Sequence, residues 1–215
     1  MNILVVFFFV FNVIATFILG AKFVKQGDSQ VFKVFGKALL LNALAFAIWS
    51  FGVVQPESLL ISVTIGSIIF LISLVFMFDA SVLKVQMVIS RRLLIMLGIF
   101  IVLGIFAIGH ADPSYAFISS EGFLFFNLGP LVQMLYVFVF ALASLPAFEI
   151  VASKFKNPYA TIFRYGFIAQ FCSGVMLMTT KDAQVIYATG WVIILVYLML
   201  LITFLFNKKA WSDIN

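Results

Sequence analysis

Acidic and basic side chains are missing from seven long stretches of this 215-residue chain: residues 1–21, 38–56, 58–78, 93–111, 122–148, 165–180 and 183–207. An α-helix rises about 1.5 Å per residue, so roughly 20 residues cross a hydrocarbon layer near 30 Å thick. Six of the stretches have at least 19 residues, and the seventh, 165–180, can be extended through Tyr159 to Phe163. Hydrophobic residues make up 65% of the chain and charged ones 10%, where a soluble chain averages roughly a quarter charged. That excludes a soluble globular protein. Lipid offers no partner to backbone amides, which leaves helices or closed barrels, and these runs are too long and too evenly apolar for the alternation of barrel strands. The pattern predicts an all-α integral membrane protein: one domain, 1–215, a seven-transmembrane-helix bundle with helices at about 3–21, 38–55, 58–78, 93–110, 122–147, 161–180 and 183–206. The first run lacks a basic n-region and a small-residue cleavage site before Lys22, so it is expected to remain as the first helix rather than be removed as a signal peptide.

The charges between the runs predict an orientation. Loops one, three and five and the C-terminal tail hold twelve of the thirteen basic residues, among them Lys22, Lys25, Lys33, Lys37, Arg91 and Arg164. The even-numbered loops hold Lys181 beside Glu57, Asp112, Glu121 and Asp182. Because lysine and arginine are retained on the cytoplasmic side, the N-terminus is expected outside and the C-terminus in the cytoplasm. The net charge of +5 then reports topology, with anionic lipid headgroups as partners at the inner face and no nucleic acid. Within the first basic loop, "QGDS" contains a helix stop at Gly27 and a cap at Asp28 or Ser29. "DASVLKVQMVISRR", Asp79 to Arg92, is expected to start at an Asp79 cap as a short amphipathic helix. "KFVK" with Phe32-Lys33 is echoed by "KFK" with Phe163-Arg164, the arrangement that a three-plus-one-plus-three parallel repeat would give.

Chemistry is sparse. No ionisable residue falls mid-run, which removes proton pumps, voltage sensors and intramembrane aspartyl proteases. Asp79 and Glu149 are expected at inner helix ends, paired with Lys84, Lys154 or Arg164. His110 is the single histidine, so a haem held by two histidines of one chain is excluded, and the seventh run has no lysine for a retinal Schiff base. His110 and Asp112 are two metal-ligand types, too few for a site. Cys172 is expected as a small packing residue, Trp49 as an interfacial anchor, and the 28 phenylalanines are too scattered to read as an aromatic box. The polar residues inside the runs are Asn12, Asn42, Asn127, Gln133, Tyr136 and Gln170. Of these, Asn42, Gln133, Tyr136 and Gln170 are the candidate cavity, with Gln133 and Tyr136 one helical turn apart near mid-membrane and a kink at Gly129-Pro130 opening the fifth helix. Interhelical hydrogen bonding is the alternative use for the same side chains.

"GKALLLNALAFAIWSFG", "GPLVQMLYVFVFALASL" and "FRYGFIAQFCSGVML" together resemble the N-terminal seven-helix sensor region of bacterial membrane histidine kinases and related receptors. The resemblance spans about residues 36–206, in the rhythm of hydropathy, Trp49 near the end of the second helix and the Arg164 to Gln170 stretch. It implies a bundle that receives a signal and passes it to a cytoplasmic or membrane protein partner. With Asn215 eight residues past the last run and no kinase domain, the expectation is a non-catalytic sensory or partner-binding module of the bacterial inner membrane, without a cofactor. The alternative is a permease or channel for a small neutral solute. The sugar-carrier type would show Pro-Gln, whereas this chain has Gln55-Pro56.

Overall fold

The computed structural model describes residues 3–26, 29–83, 90–109, 115–118, 124–207 and 209–212. Seven of its helices are long and apolar enough to cross a bilayer, which is compatible with an all-α membrane bundle. They are α1 (Ile3–Gln26), α2 (Gln30–Val54), α3 (Leu59–Val82), α4 (Arg91–Gly109), α5 (Pro130–Ala152), α6 (Tyr159–Thr179) and α7 (Ala183–Leu201), which runs on as a π-helical turn, Ile202–Phe206. A single turn, α8 (Lys209–Ser212), follows. One short hairpin, β1 (Ala116–Ile118) antiparallel to β2 (Leu124–Phe126), pairs Phe117 with Phe125.

Local chemistry sets several of these boundaries. The Ser29 side chain caps α2 by accepting from the Phe32 amide at 3.4 Å, so α2 begins at Gln30 rather than at residue 38. Lys33 and Lys37 therefore lie inside the helix, exposed, within its first eight residues, with stems that carry the ammonium groups toward its start. Asp182 caps α7 by accepting from the amides of Gln184 and Val185. The fifth helix does not begin at residue 122. Leu124–Phe126 is strand, Gly129 is the N-cap and Pro130 takes the first helical position, where its missing N–H is no loss. Pro130 thus starts α5 instead of kinking it, and the proline inside the helix is Pro146. Asp79 is not a cap either. It sits in the last turn of α3, and of the expected amphipathic helix, residues 84–89 lie outside the described residues, as do Gly27, Asp28, His110 and Asp112.

Six helices form a ring. α1 packs on α2, α2 on α3, α3 on α5, α5 on α6, α6 on α7, and α7 returns to α1. α4 lies outside it, against α3 and α5, with only Val102, Ile105 and Gly109 of its residues buried. The α1–α2 crossing is a backbone contact: a Cβ at Gly36 would come 2.7 Å from the Gly20 carbonyl oxygen, and one at Gly20 would come 2.9 Å from that of Gly36. Glycine is what lets helices approach this closely. Two ion pairs tie neighbours together at one end of the bundle. Arg91 of α4 donates from Nε at 2.5 Å and from Nη2 at 2.7 Å to the Asp79 carboxylate of α3. Arg164 of α6 donates twice, at 2.6 Å, to Glu149 of α5. We call this the basic end and the opposite one the hairpin end.

The basic end is closed by aromatic rings. Phe23 of α1 lies 5.3 to 6.2 Å, centroid to centroid, from Phe32, Phe35, Phe155, Phe163, Phe204 and Trp211. Such spacing is that of edge-on and tilted ring pairs, each worth about 0.5–1.5 kcal/mol beyond area burial. The two halves of the "KF" echo meet here, since Phe32 lies 5.3 Å from Phe155 and Phe23 lies 5.8 Å from Phe163. Lys22 stands over the Trp211 ring at 6.0 Å.

Candidate functional site

Above this aromatic layer, the ring surrounds a cavity of about 160 Å³ that is partly open at its side, where the half-exposed Phe7 and Trp191 border it. All six ring helices and β2 contribute to its wall, and half of the residues around it are aromatic. The phenylalanines that look scattered along the chain converge because α1, α2, α3, α5, α6 and β2 each bring one or more of them to this wall. Trp49 belongs to this wall rather than to an interface. It is 7% exposed, packs on Phe46, Phe70 and Phe126 at 5.4 to 5.9 Å, and donates from Nε1 to the Val63 carbonyl at 3.4 Å. Gly66 makes room for its indole, since a Cβ there would fall on the ring. Among tryptophans it is Trp191 that is half exposed. Cys172, expected to pack inside, is exposed on the outer surface of α6.

Three amide side chains interrupt the apolar wall: Asn12 of α1, Asn42 of α2 and Gln170 of α6. Each stands near the middle of its helix, twelve residues along α2 in the case of Asn42, which at about 1.5 Å per residue puts it some 18 Å from the helix start. Asn12 is satisfied locally, donating to the Phe8 carbonyl at 2.8 Å. Gln170 donates from Nε2 to the Tyr197 hydroxyl, which also accepts from Thr16 at 2.8 Å, so α6, α7 and α1 are joined by one chain of hydrogen bonds. Tyr197 was not singled out in the sequence, although a tyrosine one helix away from a mid-run glutamine is the kind of partner the interhelical reading required. What remains is a pair of acceptors. Asn42 Oδ1 and Gln170 Oε1 are both buried and make no hydrogen bond among the described residues. An unsatisfied buried acceptor costs about 1–3 kcal/mol, and hydrocarbon supplies no water to relieve it.

Gln133 and Tyr136 stand apart from that pair. Because α5 begins at Pro130, Gln133 occupies its first turn, at the hairpin end rather than mid-bundle. With Tyr136 it lines a second, smaller cavity of about 40 Å³, bounded also by Ser67, Leu128 and Met178. The four sequence candidates thus divide into two places: Asn42 with Gln170, and Gln133 with Tyr136. Trp49, Phe70, Phe126 and Met178 border both cavities and form the partition.

The hairpin closes the far side of the large cavity. Leu124 and Phe126 face it, and Phe125 packs beside Ile186, Phe9 and Leu177. Tyr115, at the foot of β1, anchors the hairpin to α3 through a 2.7 Å hydrogen bond between its hydroxyl and that of Thr64. Burial raises its phenol above the ordinary range, with the Thr64 contact pulling the other way. Lys181 donates to Asn127 Oδ1 at 2.9 Å and ties the α6–α7 turn to the segment after β2. Among the described residues there is no group of three or more metal-ligating side chains.

Fold and site together define a class: a bundle of seven helices, each long and apolar enough to span a bilayer, built around a partly open aromatic cavity with two buried amide carbonyls that have no partner among the described residues. Comparisons with family models, curated proteins and solved structures find no match to this chain.

Proposed function

We propose that the chain is a multi-pass membrane protein and a non-catalytic sensory or partner-binding module. In this reading the large cavity receives a ligand and the basic end, facing the cytoplasm, presents the surface to a partner. The observation that carries it is the pair of buried carbonyls, without partners among the described residues, beside a pocket stopped at its two ends, by the hairpin at one and by the ring cluster around Phe23 at the other. A pocket stopped at both ends and open sideways, beside the half-exposed Phe7 and Trp191, suits a receptor, which must hold a ligand, better than a channel, which must pass one from end to end. The basic residues of that end, including the exposed Lys25, Lys33 and Lys37, support the cytoplasmic assignment and contact with anionic headgroups. The resemblance to kinase sensor regions supports the partner.

A permease for a small neutral solute is the second reading, and one observation favours it. α1–α2–α3 and α5–α6–α7 each pack in series, α4 stands outside, and the contact of α3 with α5 matches that of α7 with α1. A parallel repeat with a pseudo-two-fold axis along the membrane normal has this contact pattern, and such repeats occur in carriers. Two assays separate the readings: copurification of a cytoplasmic or membrane partner from native membranes, and flux of small neutral solutes into proteoliposomes. A partner without flux supports the sensor; flux without a partner overturns it. Orientation is tested by cysteine labelling in a Cys172→Ser background, where Glu57→Cys is expected to react from outside intact cells and Lys25→Cys and Ser212→Cys are not. External labelling of Lys25→Cys would reverse the orientation.

A further inference from the structure

We infer that the large cavity is a binding site for a neutral, single-ring aromatic molecule bearing a hydroxyl or N–H, of the size and polarity of phenol. The inference rests on the sensory reading for its biological sense, and on geometry for its chemistry. Size comes first. A cavity of about 160 Å³ is close to the roughly 150 Å³ that, in an engineered apolar core, is enough to admit benzene. One aromatic ring fills that volume. The wall comes second: rings such as Phe46, Phe70, Phe140, Phe167 and Phe171 surround the space, and Phe140 and Phe171 already sit 4.8 Å apart as a tilted pair. An aromatic guest can add edge or face contacts to such a wall.

Polarity comes third and decides between guests. Asn42, 6% exposed, and Gln170 both line the cavity, and their Oδ1 and Oε1 are buried just behind its surface without a partner among the described residues, so that a turn of either amide brings an acceptor to a guest. Two acceptors without donors call for a guest that donates. Among the described residues no charged side chain borders the space, so an ion would enter uncompensated. Water is a poor occupant, because a water takes about 30 Å³ and wants two to four polar partners, and filling this volume would leave most of the waters against rings.

The test uses the full chain in nanodiscs, with 4-fluorophenol and 4-fluorotoluene as probes. The two are near-isosteres that differ in the donor, and 19F NMR distinguishes a bound resonance from probe dissolved in lipid, with empty nanodiscs as the blank. Saturable binding of 4-fluorophenol is expected, one per chain and at least tenfold tighter than 4-fluorotoluene. Asn42→Leu is expected to bring 4-fluorophenol down to the level of its methyl analogue, while Gln170→Leu weakens it several-fold. Equal affinity for both probes in the native chain overturns the role of the carbonyls. Absence of a saturable resonance for either probe overturns the site itself. These outcomes are independent of the sensory reading: binding without any copurifying partner sinks that reading and leaves the ligand class standing, whereas a partner without binding does the reverse.

Discussion

The same substitution at two glycines is expected to move stability in opposite directions. Gly36 faces the Gly20 carbonyl across the α1–α2 crossing, with the Val24 amide nitrogen 2.8 Å from where a Cβ would stand, whereas a Cβ at Gly98 on α4 meets nothing within 4 Å. Ordinary contact begins at 3.4 Å, so an alanine at Gly36, 2.7 Å from that carbonyl, forces the two backbones apart by about 0.7 Å. Neither neighbour is a side chain that can swing away. A gap of this size forfeits a quarter to a half of each dispersion contact along the seam, and overpacking of this kind typically costs about 1–3 kcal/mol. Both replacements gain the same helix propensity, about 1 kcal/mol, so the difference between the variants isolates packing. For a chain of this size each kcal/mol moves Tm by about 2–4 °C, which separates Gly36→Ala from Gly98→Ala by roughly 2–12 °C, with Gly98→Ala at or above the native value. Thermal unfolding in one detergent, followed by circular dichroism, measures it. If the two variants melt within about 1 °C of each other, the close crossing of α1 and α2 is wrong.

Asp79→Asn is expected to cost about 1–3 kcal/mol in detergent unfolding, because it leaves Arg91 facing a neutral amide at a carboxylate site only 12% exposed. Glu149→Gln, with its side chain 57% exposed, is expected to cost less than about 1 kcal/mol, and the reverse order would refute the assignment. Gln133→Leu and Gln170→Leu sit in different cavities, so their stability effects are expected to add within about 0.5 kcal/mol; a larger coupling in the double variant would mean that the two cavities communicate. Tyr115→Phe removes the hydroxyl that holds the hairpin to Thr64 and is expected to speed amide exchange in β1 and β2 by up to about tenfold, with α6 and α7 unaffected. Since burial raises the folded-state pKa of that phenol, its contribution is present below the unfolded value near 10 and is lost as pH climbs through the folded one. Alkaline unfolding of the hairpin should therefore be shallower in Tyr115→Phe.

How much of this is written in the sequence depends on what each signal measures. Charge-free runs report where a chain can be desolvated, and that pattern finds every long helix. The same marker misplaces ends, because Lys33, Lys37 and Arg164 lie within helices whose termini are polar enough to carry them. Leu124–Phe126 has the hydropathy of a helix and the conformation of a strand, since a short apolar run carries no period to tell them apart. There the informative residues were Gly129 and Pro130, which punctuate the chain regardless of hydropathy. Asn42 and Gln170 stand out as amides in apolar runs, but their separation from Gln133 follows from where α5 starts, and that single error of eight residues displaced Gln133 by about 12 Å along the axis. The aromatic wall leaves no trace in any one window because its rings come from six helices.

The cavity and the basic end share a boundary. Phe148 and Phe167 form the cavity floor, 4.8 Å apart, and the same rings form the first layer of the cluster below, Phe167 against Phe163 at 4.5 Å and Phe148 against Phe35 at 6.1 Å. Phe163 in turn meets Phe23 and Phe204, and both of those rings contact Trp211 of α8. A guest resting on Phe148 and Phe167 therefore touches the same packed layer that seats the last helical turn of the chain. Packed rings have few alternative arrangements, so a shift of the floor cannot be absorbed by one side chain alone. The π-helical turn at Ile202–Phe206 sits within this path, and its irregular register leaves the Phe204 carbonyl to accept from Trp211 Nε1 at 2.6 Å. The device that closes the basic end is thus also the one that joins the cavity to the surface where a partner would bind.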